Sequence, residues 1–176
     1  DLSQNMSPRI GLILVGHGEP PRDLPRHIVK EYFELLEKRR TEHEDERFRH
    51  LEEEIVSRPR TPENDPYFYG LMAIAEELRR TQRFKQVWAA FNEFCRPTLP
   101  EALKEACSSD VDVIVVATIM LTRGGHHSEE EIPSAIEQAK TFCKKPIVYV
   151  WPIDSSDLAK FLLSQIEKAL MSKMAV

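Results

Sequence analysis

Four short apolar runs punctuate an otherwise mixed chain: Ile10-Gly11-Leu12-Ile13-Leu14-Val15, Val87-Trp88-Ala89-Ala90-Phe91, Val113-Ile114-Val115-Val116-Ala117 and Ile147-Val148-Tyr149-Val150-Trp151. None alternates with polar residues, and each is bounded by glycine, proline or polar positions, the character of strands buried on both faces. Helical patterns lie between them. Leu71, Ile74, Ala75 and Leu78 precede the second run, and Leu99, Ala102, Leu103 and Ala106 follow it at helical spacing. Thr98 and Glu101 are placed to form a capping box for that following helix, and Pro133 marks the start of another after the third run. A last helix, from about Ser156, carries Leu158, Phe161, Leu162, Ile166 and Leu170 as an apolar stripe. Strand and helix in alternation predict an α/β fold, a doubly wound, mostly parallel four-stranded sheet with helices on both faces.

One segment breaks that rhythm. Between about residues 22 and 60 the chain is dense in charge, with apolar residues only at intervals: Ile28, Tyr32, Leu35, Leu36, Phe48, Leu51 and Ile55. This predicts one or two long surface helices inserted after the first strand, one stripe packed on the body, followed by the proline-rich connector "SRPRTPENDPYFYG". His43 and His50 within it are two helical turns apart, too far to share a metal. At 176 residues the chain is expected to form one domain, 1–176, with no internal repeat.

Composition narrows the function classes. Hydrophobic residues make up 41% and charged residues 30%, as in globular soluble proteins, and no apolar run is long enough to span a bilayer. The net charge of -5 argues against a nucleic-acid partner, which would need a basic surface for phosphates. Cys95, Cys107 and Cys143 are odd in number, widely spaced and without a CxxC pair, so neither a disulfide framework nor a thiolate zinc site is expected; they read as buried fillers in a protein of the reducing cytoplasm. The leading "DLSQNMSPR" lacks the charged and apolar regions of a secretory signal.

In an open parallel sheet, ligands bind outside the carboxyl ends of the strands. The four predicted ends carry Gly16-His17-Gly18, Asn92-Glu93-Phe94, the loop Arg123-Gly124-Gly125-His126-His127, and Trp151-Pro152-Ile153-Asp154. His17, Glu93 and a loop histidine are thereby expected on one rim. Two imidazoles and a carboxylate suit a divalent ion such as cobalt, nickel, iron or zinc rather than calcium or magnesium, and an incomplete shell leaves positions open for exchange.

These segments resemble a known family, the small class II chelatases of the sirohydrochlorin cobaltochelatase type, related to nickel- and iron-inserting enzymes and more distantly to protoheme ferrochelatase. The resemblance lies in "ILVGHG" at 13–18, "AAFNEFCRPTLPEAL" at 89–103 and "VVATIMLTRGGHHSEEEIP" at 115–133. It implies that His17 and His127 handle the metal, with Glu93 as ligand or proton acceptor, and leaves His126 as the weaker candidate. It implies a divalent metal as substrate (cobalt first, nickel or iron otherwise), no organic cofactor, a tetrapyrrole substrate and a homodimer. The chain departs from the family where Glu19-Pro20-Pro21 follows the first motif, where Glu131 replaces the usual aspartate before Ile-Pro, and in the charged insertion.

A flat ring would require apolar walls, for which Phe91, Phe94, Met120, Leu121 and Trp151 stand near the rim in sequence. Its carboxylates would require cations, for which Arg96 and Arg123 adjoin the cluster and Arg22 or Arg26 could reach from the insertion. The same cluster could instead serve a metallohydrolase activating water, or a metal or tetrapyrrole carrier without turnover. A histidine phosphatase is disfavoured, because Gly16 stands where such enzymes place arginine before His-Gly.

Overall fold

The structure, a computed structural model, describes residues 7–174; most of the leading segment lies outside the described residues. Strands β1 (Ile10–Gly16), β2 (Gln86–Phe91), β3 (Val113–Thr118) and β4 (Ile147–Tyr149) form one parallel sheet in the order β2-β1-β3-β4. Parallel neighbours in register point their side chains the same way, so one face carries the row Val87, Leu12, Val115, Val148. The opposite face carries Trp88, Ile13 and Val116. Both rows are apolar, which is why the runs show no alternation.

Helices complete the two outer layers. Helix α3 (Pro66–Arg80) sets Leu71 and Ala75 against Leu12, Leu14, Val87, Ala89 and Phe91. On the other face, α4 (Leu99–Ser108) and α5 (Ile132–Ala139) bury Leu99, Ala102, Leu103, Ile132 and Ile136 against Ile13, Val15, Trp88, Ile114 and Val116. Burying a side chain of this size contributes ~1.5–3 kcal/mol. The expected capping box is present: the Thr98 hydroxyl accepts from Glu101 N–H and the Glu101 carboxylate accepts from Thr98 N–H.

The insertion is a helical hairpin with an apolar cluster of its own. Helices α1 (Arg26–Leu36) and α2 (Glu42–Ser57) bury Ile28, Tyr32, Leu35, Phe48, Leu51 and Ile55 against one another, and Phe94 from the end of β2 packs into that cluster. Thr41 and Glu44 start α2 with a second capping box, which fixes the turn between the two helices.

Two expectations are corrected. Cys107 at the end of α4 and Cys143 beyond α5 form a disulfide, with Cα atoms 5.5 Å apart; their separation of 36 residues hid a proximity that arises because both helices lie on the same sheet face. Cys95 remains a buried free thiol, pushed up to about 11 by burial. The last helix, α6 (Ser155–Met174), has the predicted apolar stripe, yet none of its residues is buried. On the α3 side of the sheet, Val148 of β4 and Val150 just after it are 49% and 41% exposed, whereas Val115 and Ala117 of β3 pack against the α3 cluster.

Candidate functional site

All four strands run the same way, so their carboxyl ends share one rim. The β1 loop is shaped by glycine. Gly18 has φ +91, and a Cβ there would fall 1.9 Å from the carbonyl oxygen of Glu93, so only glycine lets the β1 and β2 loops interlock. Their backbones are joined where Glu93 N–H donates to the carbonyl of His17 at 3.0 Å.

His17 stands against an aromatic wall. Its ring lies 4.3 Å from that of Tyr67, and its backbone N–H donates to Tyr67 Oη at 3.0 Å. Nδ1 meets the carbonyl of Gly18 at 2.6 Å. A carbonyl can only accept, so Nδ1 carries the proton and Nε2 presents the lone pair, 3.8 Å from Glu19 Oε1.

His127 stands among carboxylates. It opens a π-helical turn, His127–Glu131, whose closing bond runs from Ile132 N–H to His127 carbonyl; α5, with Pro133 in its first turn, continues directly from it. Nε2 lies 3.2 Å from Glu93 Oε1, and Nδ1 lies 3.0 Å from Glu131 Oε2. The second approach is off the ring's bonding direction, so the buried Nδ1 makes no hydrogen bond. Burial raises the Glu93 carboxyl above the ordinary carboxylate range; His127 opposes that shift, and nearby Glu131 adds to it.

The three consecutive glutamates divide their work. Glu129 accepts from Arg123 Nε at 2.7 Å, from Gly124 N–H at 2.9 Å and from Trp151 Nε1 at 3.0 Å, and these bonds, the arginine's first, hold its carboxyl down at about 2. It fastens the loop. Glu130 turns outward to His126 Nδ1 at 2.9 Å, while Glu131 lies between His126 Nε2 at 3.2 Å and His127 Nδ1. Glu131 was absent from the sequence-derived site, although the four-residue spacing from His127 was its signal.

The other expected residues separate into those at the rim and those held elsewhere. Phe91 is no wall: its ring is fully buried and stacked on Phe68 under α3. Arg96 is engaged by Glu53 of α2 through two bonds of 3.0 Å, and Arg123 by Glu129. Trp151 stays partly exposed, stacked on Tyr149. Arg22 borders a hollow of about 470 Å³ with Glu19, Asp65 and Tyr67, on the His17 side. On the His127 side, hollows of about 430 Å³ and 320 Å³ meet at His126, the second walled by Met120 and Leu121. Among the described residues, no three His, Cys, Asp or Glu side chains are spaced to hold an ion among them. The structure thus pairs His127 with Glu93 and leaves His17 turned toward Glu19.

Behind the rim lies a buried ion pair that sequence reasoning missed. Arg60 and Asp65, with side chains 6% and 1% exposed, meet at 2.6 Å. Arg60 also donates to the carbonyls of Glu19 and Ile55, each at 2.8 Å, and of Phe94, joining both rim loops to α2.

Comparison with known proteins agrees with this architecture. The CbiX family model matches residues 65–169. The chain is 40% identical over 63 residues to the sirohydrochlorin cobaltochelatase of Methanopyrus kandleri, covering 36% of this chain and 43% of that one. It is 31% identical over 90 residues to the enzyme of the same name from Sulfurisphaera tokodaii, covering 51% of this chain and 72% of the relative. The chain therefore spans less than half the length of the Methanopyrus relative. A solved cobalamin (vitamin B12) biosynthesis CbiX protein from Marinobacter aquaeolei VT8 shares the fold with a TM-score of 0.54 at 15% identity, over 93% of this chain and 98% of that one.

Proposed function

This chain belongs to the CbiX family, and we propose that it is a chelatase, inserting a divalent metal ion into sirohydrochlorin at the rim formed by the loops after β1, β2 and β3. Cobalt is the metal we assign first, from the names of the relatives. The observation that carries the reading is His127 with a carboxylate within 3.2 Å of each ring nitrogen, at a rim flanked by apolar hollows.

Insertion exchanges two pyrrole N–H protons for one divalent ion: the free-base ring and M²⁺ become the metallated ring and two protons. The protein must therefore accept protons where a cation arrives. His127 offers a nitrogen for either, and Glu93 and Glu131 compensate the positive charge that reaches it. Glu93, raised by burial, is a better proton acceptor than an exposed carboxylate. We assign His17 the role of a second nitrogen donor, its lone pair fixed on Nε2 by the Gly18 carbonyl. The ring's edge would pack on Met120, Leu121 and Trp151 rather than on Phe91. The arginines beside the cluster already have carboxylate partners, so Arg22, bordering the His17 hollow, is the better candidate to meet a substrate carboxylate.

The partner we propose is a second copy. The stripe of α6, with Phe161, Leu162, Ile166 and Leu170 all more than half exposed, and the exposed Val148 and Val150 of the sheet are apolar surfaces that a second copy could cover. A twenty-residue helix is about 30 Å long. Laid reciprocally against a second copy, two such helices would supply the apolar core of an interface, for which stable association requires burial of at least about 1,200 Å². Leu162→Glu with Ile166→Glu should convert a dimer to a monomer in sedimentation.

The function is tested by anaerobic incubation of the protein with sirohydrochlorin and, separately, Co²⁺, Ni²⁺ and Fe²⁺, following metallation by absorbance against a protein-free control. Acceleration that is lost in His127→Ala supports the reading and ranks the metals. Stoichiometric ring or metal binding without acceleration makes the protein a carrier, and absence of both overturns the assignment.

A further inference from the structure

We infer that Phe94 and Arg60 are positioning residues through which the inserted α1–α2 hairpin holds Glu93 against His127. The inference rests on the metal-insertion reading of the rim and adds to it a role for the charged helical insertion.

Glu93 stands at a junction of two constraints. On one side its carboxylate faces His127 at 3.2 Å. On the other, the next residue, Phe94, leaves the rim in the left-handed region, φ +67. A bulky residue keeps that conformation only where its surroundings impose it. Here the hairpin imposes it. The Phe94 ring lies 5.6 Å from Tyr32 and 5.8 Å from Phe33, both on α1, and is part of the apolar cluster that joins α1 to α2. The Phe94 carbonyl accepts from Arg60, whose guanidinium also binds the carbonyl of Ile55 in the last turn of α2. Side chain and carbonyl of the same residue are thus both gripped by the insertion.

The grip extends to the other rim loop. Arg60 donates to the Glu19 carbonyl, two residues from His17, and Glu93 N–H donates to the His17 carbonyl. Displacement of the hairpin would turn the backbone at residue 94, and with it the adjacent Glu93 carboxylate. Asp65, buried beside Arg60, keeps the guanidinium charge paired and its donors aimed.

A double-mutant cycle on the full chain separates positioning from general structural support. Phe94→Ala should lower kcat for cobalt insertion by ~10- to 100-fold while the KM for sirohydrochlorin stays within about twofold, since misplacing a reacting group by an ångström costs that much. In a Glu93→Gln background the same substitution should cost less than about twofold, because the group it positions is already lost. Arg60→Lys, which keeps a charge for Asp65 but not the planar fork, provides the same cycle should Phe94→Ala fail to fold. Co²⁺ affinity, read from the cobalt absorption bands without any tetrapyrrole, should follow the same pattern. Equal losses in both backgrounds, or a rise in KM alone, overturn the positioning role while leaving the chelatase reading intact. A wild-type protein that neither inserts nor binds cobalt overturns both.

Discussion

His17 and His127 follow neighbouring strands of the sheet, each in a loop that contains glycine, and their surroundings could hardly differ more. His127 has a carboxylate near each ring nitrogen and is 24% exposed; His17 leans on Tyr67, donates its Nδ1–H to the adjacent carbonyl, and is 37% exposed. The difference separates two kinds of chemistry. An imidazole between carboxylates can receive positive charge, whether proton or cation, because the charge is compensated on arrival. An imidazole with one nitrogen committed to a carbonyl offers a single, well-aimed lone pair. Residue type and position in the strand-end motifs made the two histidines equivalent; their partners do not.

The sharpest way to break that comparison is to remove each ring in turn. His127→Ala should lower insertion by ~10²- to 10⁴-fold, the usual range for a general acid–base group. His17→Ala should cost about tenfold less, as a supporting ligand would. Equal losses, measured as kcat/KM for each metal, would abolish the distinction.

The next effect is on stability and concerns the group that ties the two loops together. Asp65→Ala leaves Arg60 buried without its carboxylate and should destabilise the fold by ~3–5 kcal/mol, seen as a lower midpoint in urea unfolding. A loss of under about 1 kcal/mol would mean that the four carbonyls around Arg60 suffice without the ion pair.

Glu131→Gln probes the second carboxylate of the His127 side. It should reduce the metallation rate by ~10- to 100-fold, as loss of a group that orients a metal-handling histidine does. An unchanged rate would assign charge compensation to Glu93 alone.

The smallest effect is in acid. Glu129 is held at about 2, below the ordinary 4.5. A depressed carboxyl contributes stability that is present above its unfolded value and lost as pH falls toward the folded one. The loop should therefore loosen as pH drops from about 4.5 toward 2. Trp151, bonded to Glu129, reports this by fluorescence in Trp88→Phe protein; in Glu129→Gln the acid transition should be absent.

The strands, the Thr98 capping box, the helix start at Pro133 and the helical insertion were legible because each depends on residues close in sequence. So was the meeting of Glu93 with His127, since parallel strands necessarily bring their carboxyl ends to one edge. The inward turn of Phe91 was not. Its strand is apolar on both faces, so no alternation says which side chains reach a helix and which reach the rim. Nor were the fates of the cations: Arg96 and Arg123 look available beside the site, but Glu53, forty-three residues from Arg96, and Glu129 occupy them.

Sequence by itself determined the order and kind of the elements, the rim where they end, and the residue types that rim would hold. These follow from periodicity, capping and the one-way run of parallel strands, all set by local chemistry. Tertiary structure alone decided the partners: Cys107 with Cys143, Arg60 with Asp65, Phe94 with the hairpin, and one glutamate of three with His127. Pairings of this kind depend on distances and ring directions between segments far apart in the chain, which are fixed only when the layers pack.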